Sequence, residues 1–501
     1  MDPKQKENSR GNIWSKIWYG FFLLYFLNMV VATTVILLMK PLWYDINEFL
    51  IGMIGTRFNW FAIILSLLFF IFAHSIYLVI KGAYEFARKG ISKSYWINKV
   101  IPFIFLPVWD FALNMLFSEA GEETVIVKTQ LEYFSPIFWL ILVIGISSAS
   151  PFLYKTFSEK LMKLKTEGTK WYMKAKYVFG TLLIGVLCIF PFISPFFLIP
   201  STVFQSAIPP KPLIIAHRGA SHLAPENTLV AAEQAVMFGA DGIEVDLTIS
   251  YDGVIFLLHD DTLRRTTNVA EVFPERAGEN AASFNFSELR SLDAGSWFVD
   301  SDPFKTIQDG YISESTAESY RGELIPSLEE IINFTRDSGL LLDIDAKGPP
   351  SGHPYDASFN NILLTQLNNS GMGKDILLGS SQALSLNMTY VTGALSVDQL
   401  IILGSELVNT HHGLTNKQFR EYEESGIQTM TWTVDSVSRF SQLWCLGVDI
   451  IKTNNLHLMV PLTTPIWNME RPFYYLTWIL LIVVTPAVSF AIVYLVRKKK
   501  K

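Results

Sequence analysis

Six apolar runs constrain this chain more than any other feature. They cover residues 17–39, 59–80, 100–117, 134–154, 177–200 and 473–496. A helix crosses a bilayer in about 20 residues, so each run is close to a membrane span. The third is the least apolar, because it holds Asp110 and two prolines. The first run lacks a small-residue cleavage site and is followed by further spans, so it reads as a span and not as a signal peptide. Five runs crowd the first 200 residues, and the sixth follows one long polar stretch.

Charge divides the chain in the same way. Residues 206–466 hold 15 Lys+Arg against 33 Asp+Glu, and the remainder holds 25 against 13. So acidic a unit repels phosphate backbones, which excludes nucleic acid as a partner. The basic residues of the remainder fall in alternate segments. Lys4, Lys6, Arg10 and Lys16 precede the first run, Lys81 to Lys99 follow the second, Lys155 to Lys176 follow the fourth, and Arg497 leads four terminal lysines. Cytosolic loops carry such an excess, so both termini are expected in the cytosol and the acidic unit outside or in a lumen.

The layout predicted is a tail 1–16, five spans within 17–200, an outer unit 206–466, a span 473–496 and a basic tail 497–501. It describes a multi-pass protein of the plasma membrane or an endomembrane, with the lipid bilayer as partner. Sequons at Asn285, Asn333, Asn368 and Asn387 suit glycosylation on the outer side. Cys188 lies in an apolar run, so it forms no disulfide framework with Cys445.

Between residues 212 and 455 strand-like and helix-like patterns alternate. Strands are predicted at 213–216, 242–249, 254–259, 340–344, 376–378, 407–410, 428–434 and 449–453. Asn227 reads as the cap of a helix that ends at Gly239, and Ser327-Leu-Glu-Glu330 as a capping box. Eight such units fit a (β/α)₈ TIM barrel, here carried by a polytopic α-helical membrane protein. The region 265–320 fits no unit and reads as an irregular insertion, a lid or cap.

In such a barrel the site lies at the C-terminal ends of the strands. The first strand runs into His217-Arg218-Gly219: a titratable ring, an anion-binding fork and a residue that lets the backbone turn. The second reads Gly242-Ile-Glu-Val-Asp-Leu247, and its two-residue period puts Glu244 and Asp246 on one face. Two carboxylates pointing into a barrel repel unless a cation joins them, and their oxygens suit Ca²⁺ or Mg²⁺. The third strand ends at His259-Asp260. The fourth, Leu340-Leu-Leu-Asp-Ile-Asp345, offers a third ligand, expected to be Asp343. Glu226 follows Pro225 in the first loop, free to bind metal or to orient His217 or Arg218. Lys347 and Trp432 could hold an anion and cover a small ligand, although a solvated lysine and a core aromatic fit their positions as well.

These residues together resemble the glycerophosphodiester phosphodiesterase family. The resemblance rests on His217-Arg-Gly219, Pro225-Glu-Asn-Thr228, Glu244-Val-Asp246, His259-Asp260, Ile325-Pro-Ser-Leu-Glu-Glu330, Trp432-Thr-Val434 and Gly447-Val-Asp449, in family order. The frame of six spans is similar to the multi-pass membrane branch. The resemblance implies a metal-dependent hydrolase of phosphodiesters, with His217 and His259 as the acid/base pair and Glu244, Asp246 and Asp343 on the metal. Its substrates would be glycerophosphocholine, glycerophosphoinositol, lysophospholipids or the glycolipid anchors of surface proteins. One departure stands out: soluble members usually have Glu-Ile-Lys where this chain has Asp343-Ile-Asp345.

Arg218 and the metal would neutralise charge on the phosphoryl oxygens, while one histidine accepts and the other donates a proton. The nucleophile is water or a neighbouring substrate hydroxyl. Two rivals are a non-catalytic receptor or scaffold with a decayed barrel, and a transporter. Against the first, His217, Arg218, Glu226, Glu244, Asp246 and His259 are all intact. Against the second, only Asp110 and His74 are conspicuous polar groups in the spans.

Overall fold

The structure, a computed structural model, describes residues 3–38, 60–89, 98–107, 135–147, 189–204, 207–466 and 468–499, with a few single positions between them. The chain forms two compact units, Met1–Glu132 and Tyr133–Lys501. In the first, helices Pro3–Leu38 and Trp60–Lys89 pack through Phe22, Tyr25, Met29, Phe61 and Leu68. In the second, Trp139 and Val143 meet Tyr474 and Trp478 of helix Arg471–Lys499.

Among the described residues, Trp60–Gly82 and Arg471–Ala491 are helical, long enough and apolar enough to cross a bilayer. Shorter apolar helices at Ile17–Val30, Asn98–Pro107 and Ser135–Ser147 coincide with parts of three further predicted runs. Residues 108–117 with Asp110, 148–154, the lysine-rich loop 155–176 and most of 177–188 with Cys188 lie outside the described residues.

The barrel follows within the second unit. Its strands, with one return strand, are β1 (Leu213–Ala216), β2 (Gly242–Ile249), β3 (Ile255–Leu257), β4 (Leu341–Ala346), β5 (Ile376–Leu378), β6 (Thr389–Thr392), β7 (Leu407–His411), β8 (Gln428–Trp432) and β9 (Ile450–Thr453). Every strand but β3 pairs in parallel with both its neighbours, and β1 bonds to both β2 and β9, so eight strands close a ring.

The sequence reading differs from this ring at two strands. Residues 254–259 do not form the third barrel strand. The turn Ser250–Gly253 reverses the chain, and β3 runs antiparallel to the part of β2 that extends past the ring. The eighth member is instead β6. It has only four residues, and two are threonines, so neither its length nor its pattern distinguishes it from a loop.

Alternation along the strands layers the barrel interior. Ile215, Leu377, Val391, Leu407, Met430 and Ile450 form an apolar plug. One period further toward the strand ends, inward positions turn polar: His217, Glu244, Asp343, Asn409 and Lys452. The outer faces of the strands pack on amphipathic helices. Helix Leu328–Ser338 buries Leu328, Ile331, Ile332 and Thr335, starts in the predicted Ser327/Glu330 capping box, and stops at Gly339. Helix Leu229–Met237 is capped by Thr228, whose hydroxyl accepts from the Ala231 amide, and not by Asn227.

The insertion 265–320 is more regular than the sequence suggests. Its short helices enclose a second small core of Phe284, Leu289 and Leu292, set against Phe256 and Leu258 at β3. Phe304 stacks on His222 at 3.8 Å, and the Thr306 hydroxyl donates to the His222 carbonyl, so the insertion is pinned to the loop after β1.

Candidate active site

At the C-terminal ends of the strands lies a cavity of about 390 Å³ lined by His217, Arg218, Glu244, Asp246, His259, Asp343, Asp345, Asn409, Trp432 and Lys452, among others. The loop after β1 shapes one wall. Gly219 sits at φ +73°, and a Cβ there would lie 2.7 Å from the Ala231 side chain, so only glycine lets helix Leu229–Met237 come this close. Arg218 and Asn227 are also left-handed, at φ 58° and 56°. Such strain costs on the order of 1–3 kcal/mol per residue and persists where neighbours fix it. Here they do: the Arg218 amide donates to Glu244 Oε2, and Asn227 both donates to the Asp246 carboxylate and accepts from its amide.

The carboxylates converge. Glu244, Asp246 and Asp345 each bring an oxygen within 4.8 Å of the others. The parallel register of β2 and β4 causes this, because Asp246 stands beside Asp345 while Glu244 stands beside Asp343. Asp343, the expected third ligand, is instead joined to Lys452 Nζ at 2.6 Å, both side chains being buried. Glu226 is likewise taken up, by both Arg265 guanidinium nitrogens at 2.7 Å and by Arg218 at 3.1 Å. Burial and the charge of Asp246 push the Glu244 carboxyl up to about 8, and burial with the same neighbour raises Asp345. Carboxylates this crowded repel one another, and three oxygen donors at this spacing fit a hard divalent cation.

The departure from Glu-Ile-Lys acquires a structural meaning. The acid-x-lysine spacing recurs two residues later as Asp345-Ala-Lys347. Asp345 belongs to the cluster, and Lys347 Nζ lies 3.7 Å from Asp246 and donates to the His259 carbonyl. Lys452 holds its proton: burial would lower its pKa, but the charges of Asp343 and Glu244 outweigh that. Removing one partner of a buried pair strands the other charge. Lys452→Ala is expected to cost about 3–5 kcal/mol of stability, read as a lower thermal midpoint; an unchanged midpoint would show that the pair is dispensable.

The two histidines are held differently. Asn454 donates its amide to Asp435 Oδ2, which turns its Oδ1 toward His217 Nδ1 at 2.8 Å. A carbonyl oxygen only accepts, so Nδ1 carries hydrogen and the lone pair of Nε2 is left for the cavity. Burial and then Arg218 keep the His217 pKa below its ordinary value. His259 reaches the cavity just past the return strand β3, and its Nδ1 meets Asp260 at 2.8 Å. Arg265 clamps Asp260 as well as Glu226. Burial opposes ionisation of Asp260, but Arg265 and His259 prevail and hold it at about 2.

That depression has a consequence for acid stability. A carboxylate lowered on folding stabilises the fold fully above its unfolded value of 3.8, and the contribution vanishes as pH falls to about 2. The difference in thermal midpoint between wild type and Asp260→Asn is expected to shrink as pH falls from 4 toward 2. A difference that stayed constant over that range would contradict the assignment.

Of the other expected residues, Trp432 is 38% exposed and lines the cavity, with an edge contact to His411. Lys347 lies to one side, in an adjoining cavity. Asn285, Asn333, Asn368 and Asn387 are all exposed. Arg265 and Asn409 carry no signal in the sequence, whereas Asp435, Lys452 and Asn454 stand at the ends of the last two predicted strands with no role legible there.

A neutral imidazole, a second histidine, a cation-seeking carboxylate cluster and an arginine, gathered at a barrel mouth, have the makings of a hydrolase for an anionic ester. The glycerophosphoryl diester phosphodiesterase family model matches residues 217–383. Bacillus subtilis YhdW, whose name places it among the glycerophosphodiester phosphodiesterases, is 30% identical over 48% of this chain and 93% of its own length. Glycerophosphodiester phosphodiesterase domain-containing protein 5 of Gallus gallus is 35% identical over 56% of this chain and 48% of that protein, so this chain matches about half of its length. The Mus musculus protein named glycerophosphoinositol inositolphosphodiesterase GDPD2 is 27% identical over 95% of this chain and 87% of that protein. The chain belongs to the glycerophosphodiester phosphodiesterase family.

Proposed function

We propose that this protein is a metal-dependent, membrane-spanning hydrolase of glycerophosphodiesters, of the glycerophosphocholine or glycerophosphoinositol type. The observation that carries the reading is the convergence of Glu244, Asp246 and Asp345 beside the lone pair of His217 Nε2. These three side chains would hold Ca²⁺ or Mg²⁺, and the cation would offset negative charge on the phosphoryl oxygens. Arg218 adds a second cationic contact. Its Nε is buried with no hydrogen-bond partner among the described residues, 3.4 Å from Asp246 but out of line with it, and so can donate to a phosphoryl oxygen.

His217 accepts the proton of the attacking water through Nε2, and a new P–O bond forms. His259, its Nδ1 fixed by Asp260, gives a proton to the departing alcohol oxygen as the old P–O bond breaks. The products are a phosphomonoester and a free alcohol. Asp435, Asn454 and Asn227 act by holding His217 and Asp246 in place.

Several features support a membrane setting with the barrel on the non-cytosolic side. Trp60–Gly82 and Arg471–Ala491 present exposed apolar side chains such as Phe69, Phe70 and Val483. A two-residue ladder, Val203–Phe204 on Met469–Glu470, ties the entry to the barrel to the start of the last helix. The alternating basic segments and the exposed sequon asparagines agree with cytosolic termini and a glycosylated outer unit.

The test is a panel of glycerophosphocholine, glycerophosphoinositol, a lysophospholipid and a glycolipid-anchored protein, presented to the purified full chain. Release of a monoester and an alcohol from at least one glycerophosphodiester is the expected result. Cleavage of the anchored protein alone would move the assignment to an anchor-cleaving ectoenzyme. No cleavage of any with metal present would favour the receptor.

A further inference from the structure

A second cavity of about 290 Å³ adjoins the first, and His259 lines both. Its other walls are Thr248 and Leu258 from the extended hairpin, Asp260 and Asp261 after it, Asn280 and Ala281 from the insertion, and Lys347 to Pro350 after β4. Lys347 lines only the second cavity, bonded to the His259 carbonyl and lying near Asp246. His217 borders only the first cavity.

A phosphodiester has two alcohol arms, and only one leaves. The proton must reach the oxygen of that arm, so the donor has to stand where the departing alcohol is seated. We infer that the second cavity is the subsite for the leaving alcohol and that it selects alcohols rich in hydrogen-bond donors, a polyol or a primary ammonium, over a quaternary ammonium. This rests on the phosphodiesterase reading above.

The chemistry of the walls supports the selection. None of the lining residues is Phe, Tyr or Trp, so the cavity offers no aromatic cage for a quaternary ammonium. It offers acceptors instead. Asp261 is exposed and has no side-chain hydrogen bond or ion pair among the described residues, unlike Asp260, which His259 and Arg265 occupy. A hydroxyl or ammonium donor reaching Asp261 gains a charge-assisted bond, which a trimethylated nitrogen cannot make. At about 290 Å³ the cavity is near the lower end of the range for small-molecule sites, and so suits one head group and not a lipid tail.

The experiment varies the leaving alcohol on a constant glycerol phosphate. Methyl, choline, ethanolamine and inositol diesters are compared for the wild-type full chain, Asp261→Leu and Asp261→Asn. In the wild type, kcat/KM is expected to be about 10-fold or more higher for the inositol or ethanolamine diester than for choline. Asp261→Leu is expected to erase that preference while the methyl diester is cleaved as before, and Asp261→Asn to restore part of it. Three results would overturn the inference. One is an equal loss on all diesters, the methyl diester included; another is a preference that survives Asp261→Leu. The third is a product in which the varied alcohol stays on phosphorus. If the wild type cleaves none of the four, the phosphodiesterase reading itself fails, and this inference with it.

Discussion

His217→Ala is expected to lower the turnover of a glycerophosphodiester by about 10²- to 10⁴-fold, the range that a positioned general base contributes, while the barrel stays folded. The imidazole is one partner in a network that survives its loss. Asn454 remains bonded to Asp435 through both its amides, and Ser221 still donates to Asn454 Oδ1. The cost to stability is therefore that of about one buried hydrogen bond, on the order of 1 kcal/mol. Initial rates together with a thermal melt check both halves of the expectation. The same loss is expected for His259→Ala, since Asp260 keeps its two contacts from Arg265. An active variant at either position would remove that residue from proton transfer.

The second large effect concerns Asp246. Its carboxylate sits among Asn227, Arg218, Lys347 and the neighbouring acids, at the centre of the cluster. Asp246→Asn keeps the shape and removes the charge. It is expected to lower metal-supported turnover by about 10³-fold, the equivalent of the several kcal/mol a Lewis acid supplies. It should also act on stability with an informative sign. Wild-type protein is expected to gain stability as cation saturates the cluster, by mass action. Asp246→Asn is expected to lose that gain, and the repulsion among the three clustered carboxylates without cation is relieved, because one of them no longer carries charge. Thermal melts of both proteins with and without Ca²⁺ or Mg²⁺ read both effects. A variant still stabilised by cation to the wild-type extent would place the metal elsewhere.

The sequence revealed some of these residues and hid others for definite reasons. Glu244 and Asp246 were legible because strict alternation within one strand puts both on one face, and a barrel leaves that face nowhere to go but inward. Asp343 and Asp345 obey the same rule, so alternation could not choose between them. Their neighbours separate them: Asp345 stands at the height of Asp246, while Asp343 is paired with Lys452. His259 was identified at the right end of the barrel but on the wrong kind of strand. A return strand and a barrel strand have the same apolar run, and only the turn at Ser250–Gly253 separates them. The partner of His217 was out of reach: Asn454 is 237 residues away, and no local pattern links an asparagine to a histidine at that distance. The eight-strand count arose from opposite errors at β3 and β6 that cancelled, so the barrel was recognisable although two of its boundaries were not.

The central claim is that Glu244, Asp246 and Asp345 hold a divalent cation on which diester hydrolysis depends. Phosphorus NMR of the purified full chain with a glycerophosphodiester tests it most directly, followed before chelation, after chelation, and after Ca²⁺ or Mg²⁺ is returned. A monoester resonance that grows, stops and grows again is the result predicted. Growth that continues at the same rate in excess chelator, or that is absent throughout with metal present, would contradict it.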